Sequence, residues 1–131
     1  MKKLSTLLIA SLLLCSFSTP HNLNGTWEFA GGIYNGKREG ATVNYTLQRK
    51  YKGGHYEAFA IEKGSKPEKY EAGNYLIAGD TCIDTETFSS QPSKITNIPL
   101  HYFYTLRNDT LTLKGKLPGG MIVEEYWKRI R

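Results

Sequence analysis

From about residue 25 onward, apolar and polar side chains alternate in short runs separated by glycine, asparagine and aspartate. Alternation with a period of two marks strands that turn one face inward. It predicts eight strands, over 25–34, 42–52, 55–63, 69–78, 81–88, 101–107, 110–116 and 121–130. No window after residue 20 carries a 3.6-residue period long enough for a helix, and there is no internal repeat. Three connections are dipeptides that tolerate positive φ: Gly53-Gly54, Gly79-Asp80 and Asn108-Asp109. The remaining connections, 35–41, 64–68, 89–100 and 117–120, are longer. In an up-and-down order alternate connections fall at the same end, so tight turns gather at one end and long loops at the other. Trp27 and Arg129 both fall at the tight-turn end and become neighbours if the sheet closes. The expected fold is all-β: an eight-stranded antiparallel up-and-down barrel, with an open β-sandwich as the alternative.

Two hairpins fix a register. A two-residue turn at Asn108-Asp109 sets Leu106 opposite Leu111 and Tyr104 opposite Leu113, with threonines and charges on the other face. At Gly53-Gly54 a two-residue turn pairs Leu47 with Ala60. A three-residue turn with Gly54 as a bulge pairs Leu47 with Phe59, Tyr45 with Ile61 and Arg49 with Glu57. The second gathers the larger apolar groups and is the expected one. Strands 3 to 5 and strand 8 are apolar on both faces in places, so their inward faces stay open.

Residues 1–18 have the make-up of a secretory leader: Lys2 and Lys3, an apolar stretch over 4–14, and small Ser16 and Ser18 before a cleavage point at Thr19. The stretch is short of the roughly 20 residues that cross a bilayer. The rival reading is a lipoprotein acylated on Cys15, although Leu14 stands where a small side chain is usual. The domain is then 19–131, secreted or periplasmic, or tethered to a membrane through Cys15. Without Lys2 and Lys3 the formal charge falls from +5 to +3. That modest, scattered excess argues against a nucleic-acid partner. With Cys15 removed, Cys82 is alone and no intramolecular disulfide forms.

The segment Leu23-Asn24-Gly25-Thr26-Trp27-Glu28-Phe29, an arginine on the last strand (Arg129), and the runs Gly73-Asn74-Tyr75, Gly79-Asp80-Thr81, Asn108-Asp109-Thr110-Leu111-Thr112-Leu113 and Glu125-Tyr126-Trp127-Lys128-Arg129 resemble the lipocalin and fatty-acid-binding superfamily, the calycins. The likeness is to secreted bacterial lipocalin-like domains, many without an assigned function. It implies a barrel closed at one end by the arginine packed over the tryptophan, so Trp27 and Arg129 read as structural. The 35–41 connection is too short for the helical lid of the fatty-acid-binding proteins, and no helix follows the last strand. The loops, chiefly 89–100, therefore form the mouth.

Candidate chemistry is sparse. Tyr45, Arg49, Phe59, Tyr102, Tyr104 and Leu113 are the expected ligand-binding set, with Arg49 available to clamp an acidic ligand. The plainer alternative pairs Arg49 with Glu57 or leaves it at the rim. Cys82, Asp84 and Glu86 alternate onto one face and read as a small buried thiol on a solvated, charged strand; neighbouring carboxylates raise a thiol's pKa and do not activate it. His21, His55 and His101 sit at no metal or triad spacing and read as surface residues. No cofactor, metal or catalytic residue is expected. The leading functional reading is a non-catalytic binder of a small, partly apolar or acidic ligand. The alternatives are an interaction or inhibitor module that meets an envelope protein through its long loops, and a small barrel isomerase or cyclase.

Overall fold

The computed structural model describes residues 23–131; the leader, Cys15 and His21 lie outside them. The described residues form one antiparallel sheet of nine strands: β1 (Gly25–Tyr34), β2 (Lys37–Gly40), β3 (Tyr45–Lys52), β4 (His55–Glu62), β5 (Glu68–Ala78), β6 (Thr81–Ser89), β7 (Pro99–Arg107), β8 (Thr110–Lys116) and β9 (Ile122–Arg129). β1 and β3 to β9 follow one another up and down, and the pairing of β9 with β1 closes them into an eight-stranded barrel. Closure joins β9 to β1, so the backbone groups along that seam bond to each other and not to solvent, while β2 pairs on one side only, with β1.

β2 is the element that the alternation pattern did not separate. It falls in the expected 35–41 connection, and the second expected strand, 42–52, shortens to β3: β2 pairs with Gly31–Tyr34 and β3 pairs with the Gly25 to Glu28 half of β1. Residues 41–44 separate β2 from β3, and Val43 among them is 95% exposed. The connection from β1 is thus not a long loop. It is a tight turn on Asn35 and Gly36, both at positive φ (49° and 82°). One tight turn therefore lies at the end that otherwise carries the long loops.

The β7–β8 register holds as expected, with Leu106 opposite Leu111 and Tyr104 opposite Leu113. The β3–β4 register does not. Leu47 faces Ala60, Tyr45 faces Glu62 and Arg49 faces Ala58 around a two-residue turn. Gly53 and Gly54 are both at positive φ (57° and 82°), which matches the strand twist without a bulge. Gathering large apolar groups was the wrong criterion there, because the inner face of β3 carries a buried arginine and is not uniformly apolar. Phe59 consequently turns to the outer face, where the Lys50 Nζ lies 5.2 Å from its ring centroid.

Irregularities set which side chains face inward. A bulge between Phe29 and Gly31 in the β1–β9 ladder shifts the parity of β1. Trp27 and Phe29 point in before it, and Tyr34 points in after it. The tight-turn half of the barrel is filled by Leu23, Trp27, Tyr51, Cys82, Leu111 and Leu113, all 0–2% exposed. Trp27 Nε1 donates to the Leu23 carbonyl at 2.9 Å. The Arg129 guanidinium lies 4.3 Å from the Trp27 ring centroid and donates to the Asn24 carbonyl at 2.8 Å. Gly25 makes this stacking possible. Its φ is +138°, and a Cβ there would fall 2.8 Å from Arg129 Nη1 and 2.6 Å from the Arg131 carbonyl oxygen. The glycine of the Gly-x-Trp opening is thus required by the last strand.

Gly25→Ala is expected to cost about 1–3 kcal/mol through strain and overpacking, measured as a lowered urea midpoint. Gly36→Ala, at positive φ but with open space around the Cβ position, is expected to cost less, about 1 kcal/mol. Equal midpoints for the two variants would show that the arginine docking does not depend on Gly25.

Candidate functional site

Above the filled half, the interior turns polar. Arg49 on β3, 7% exposed, extends into the barrel. Its Nη2 lies 3.4 Å from Glu71 Oε1 on β5 and 3.6 Å from Asp84 Oδ2 on β6. Its guanidinium carbon is 4.4 Å from the Tyr56 ring centroid and about as far from Trp127, at 5.5 Å, as from Tyr51, at 5.6 Å. Tyr56 donates its hydroxyl to the same Glu71 oxygen at 2.7 Å, and the Cys82 thiol donates to Asp84 Oδ1 at 3.2 Å. A guanidinium taken out of water is tolerable only when carboxylates and ring faces surround it in this way.

On this layer rests a cavity of about 390 Å³ in the long-loop half of the barrel, within the usual range of small-ligand sites. Phe29, Tyr34, Tyr45, Leu47, Tyr70, Tyr102 and Trp127 supply its aromatic and apolar walls. Ile95, from the loop between β6 and β7, lines it from above. That loop is fixed to the barrel: Thr96 Oγ1 donates to Glu86 Oε1 at 2.8 Å, and Asn97 N to the Glu86 carbonyl at 2.7 Å. Across the cavity Tyr34 donates to Glu125 Oε2 at 3.0 Å.

Three wall tyrosines are seated where a neighbouring residue has no side chain. A Cβ on Gly73 would fall 2.9 Å from the Tyr56 ring and 2.1 Å from the Thr85 carbonyl oxygen. One on Gly115 would fall 2.8 Å from the Tyr102 ring, and one on Gly32 would fall 3.0 Å from the Tyr34 ring. The glycines let rings lie flat against the barrel wall, which keeps the centre open.

The acids inside are shaped by burial. Desolvation raises the Asp84 carboxyl above its ordinary range, against the opposing pull of Arg49 and of the Cys82 hydrogen bond. Glu125 is raised by burial too, opposed by Arg49 and by the Tyr34 hydrogen bond, and pushed further up by Glu71 and Asp84. Burial, then Asp84, pushes the Cys82 thiol up, the wrong direction for a nucleophile. Burial likewise raises the Tyr70 hydroxyl to about 12.

Of the expected ligand-binding set, Tyr45, Arg49 and Tyr102 line this cavity. Phe59 lies on the outer face. Tyr104 and Leu113 belong to the filled half, where the Tyr104 hydroxyl donates to the Gly79 carbonyl at 3.1 Å. The Arg49–Glu57 pairing is not made: Glu57 pairs instead with Lys69 on the outside, at 3.5 Å. The Cys82, Asp84 and Glu86 strand needs the larger correction. Cys82 is buried, as expected, but Asp84 and Glu86 are only 3% and 5% exposed. The face they share with Cys82 is the inner one, so acidic character does not signal solvent exposure on this strand. Glu71 and Glu125 were missed. Glu125 was findable, since it alternates with Val123 and Trp127, both inward; the adjoining Glu124 and Tyr126 masked the pattern. His55 pairs with Asn74 on the surface at 2.6 Å. Among the described residues no three His, Cys, Asp or Glu side chains converge as metal ligands. In comparison with known proteins, the chain matches no family model and no curated protein.

Replacing Arg49 with alanine is expected to cost about 3–5 kcal/mol, because it leaves Asp84 and Glu71 buried without their counter-charge. Adding Asp84→Asn to Arg49→Ala is expected to recover part of that loss in denaturant titrations; a purely additive double variant would show that the pair is not coupled. The raised carboxyls also predict a pH dependence. Between the unfolded pKa, about 4, and the higher folded values of Asp84 and Glu125, the native state holds protons that the unfolded state has lost. Stability from these groups is therefore full below the lower limit and falls as pH rises through the folded values. The ligand-free protein is expected to melt at a higher temperature near pH 5 than near pH 7.5. Glu125→Gln, which keeps an acceptor for Tyr34, flattens that slope; an unchanged slope would remove Glu125 as its source.

Proposed function

We propose that this protein is a lipocalin-like binding protein that holds one small, partly apolar ligand inside its barrel. The observation that carries the reading is the division of the interior. One half is packed solid, while the other keeps a void of about 390 Å³ behind aromatic walls. A barrel of eight strands has room to fill itself completely with side chains. Here glycines at 32, 73 and 115 seat the rings against the wall instead. The closed barrel order is compatible with the calycin resemblance of the strand-one opening and of Arg129. With residues 1–18 read as a leader, the protein would work outside the cytoplasm, either free or anchored through Cys15.

A protein-interaction module would be favoured by a solid core and an exposed apolar patch on the long loop, at Ile95, Ile98 and Pro99. Ile95 instead lines the cavity, and Ile98 and Pro99 alone remain outside. The isomerase or cyclase reading has one observation in its favour. Glu125, enclosed, hydrogen-bonded by Tyr34 and raised by burial, has the make-up of a proton donor. The raised Cys82 thiol offers no nucleophile beside it. Binding is the reading we adopt.

The test uses three naphthyl ligands of different charge: 2-naphthylmethylammonium, 2-naphthylmethanol and 2-naphthoate. Saturable one-to-one binding of at least one of them is expected by fluorescence and calorimetry. Leu47→Trp, which places a large ring in the cavity, is expected to weaken it at least roughly tenfold. If none of the three binds, or if Leu47→Trp binds as the parent does, the cavity is not a ligand site.

A further inference from the structure

Among the described residues five carboxyl groups line the cavity, those of Glu71, Asp84, Glu86 and Glu125 within the barrel and that of the exposed Glu39 at its rim, against the one guanidinium of Arg49. That guanidinium is already committed to Glu71 and Asp84. Glu86 and Glu125 accept hydrogen bonds from neutral hydroxyls only, those of Thr96 and Tyr34. Asp84 supplies an independent sign. Its side chain is 4% exposed and lines the cavity, yet Oδ2 accepts no hydrogen bond, being within ion-pair reach of Arg49 but too far for a donor contact. An enclosed acceptor of this kind is costly unless a donor reaches its surroundings. The remaining walls are aromatic faces, which attract cations and repel anions.

We propose that the ligand of this cavity is an organic ammonium ion, with its charged nitrogen toward the carboxyls that line the cavity, Glu125 or Glu86, which have no cationic partner among the described residues, and its apolar body against the aromatic wall. The proposal rests on the reading of the cavity as a binding site. An anion would meet the same carboxyls with no free cation among the described lining residues to receive it, so the acidic ligand expected from Arg49 is the least suited of the three charge types. A metal ion lacks a converging ligand set among the described residues. The direction in which burial shifts Asp84 and Glu125 agrees with the geometry: enclosure makes their negative charge costly, and a cation beside them offsets that cost.

The same three naphthyl ligands decide the matter by their order. 2-Naphthylmethylammonium is expected to bind at least roughly tenfold more tightly than the near-isosteric alcohol and than the carboxylate. Glu125→Gln is expected to reduce the ammonium-to-alcohol affinity ratio at least roughly fivefold, with a far-ultraviolet spectrum and melting curve showing an intact barrel. Should that variant fail to fold, Glu86→Gln is read in the same way. Equal or tighter binding of the alcohol or the carboxylate overturns the ammonium assignment and leaves the cavity reading standing. Tight ammonium binding that neither glutamine variant weakens also overturns it, by placing the ion elsewhere. Failure of all three ligands overturns the cavity reading itself.

Discussion

Arg49 sits midway along a barrel interior, and a full positive charge at that depth must be matched before the chain can close around it. The match comes from two other strands, Glu71 on β5 and Asp84 on β6, with Tyr56 of β4 bonding to Glu71 and lying under the guanidinium. The cluster therefore ties together four consecutive strands. Burial opposes the guanidinium's charge, but the surrounding groups outweigh it, so Arg49 stays charged. The layer is also a floor. Below it, apolar side chains can pack without voids; above it, any further side chain would have to share space with ionic groups that need their own partners.

Close packing below and open space above use the same strands, so the difference has to come from residue choice along each one. β1 changes which parity faces inward at its bulge, giving Trp27 to the packed half and Tyr34 to the cavity. β8 gives Leu111 and Leu113 to the core, then Gly115 beneath Tyr102. β5 gives Tyr75 to the core, then Gly73 beneath Tyr56, then Glu71 to the ion cluster. In each case a large apolar side chain is followed two residues on, or across a bulge, by a residue that either leaves room or carries charge.

Much of this was legible from the chain. Strand order and the gathering of tight turns at one end follow from turn lengths and from alternation, because those features are local and a single strand reports them; closure is a pairing of the first and last strands, and only the strand-one opening answered by Arg129 pointed to it over an open sandwich. β2 was not legible, since Lys37-Arg38-Glu39-Gly40 is short, exposed and without apolar alternation, and so reads as part of the connection that precedes 42–52. The inner acids were not legible for a different reason. Alternation identifies two faces but does not say which is inside, and the rule that acids face water settles the choice wrongly when a buried arginine compensates them. Asp84 and Glu86 were seen to share a face with Cys82, and the buried cysteine was the better guide. The partner that makes Asp84 tolerable, Arg49, lies three strands away, and that of Glu86, Thr96, lies on the loop that follows; no local pattern connects them.

The separation of charge between surface and interior bears on what the barrel would select. Of the fifteen basic residues left when Lys2 and Lys3 are set aside, one lies inside; of the twelve acidic residues, four do. Fourteen basic residues thus face eight acidic ones elsewhere, so the outside is basic while the inside is acidic. The two fields do not compete on equal terms. Exposed charges are screened within about 8 Å at physiological ionic strength, whereas enclosed ones are screened far less. Bulk net charge would suggest an affinity for anions, but a ligand that reaches the cavity leaves the reach of most surface lysines and meets the carboxyls at short range. Selection by charge is then a property of the few residues on the inner face of β5, β6 and β9, and the pI of the whole chain says nothing about it.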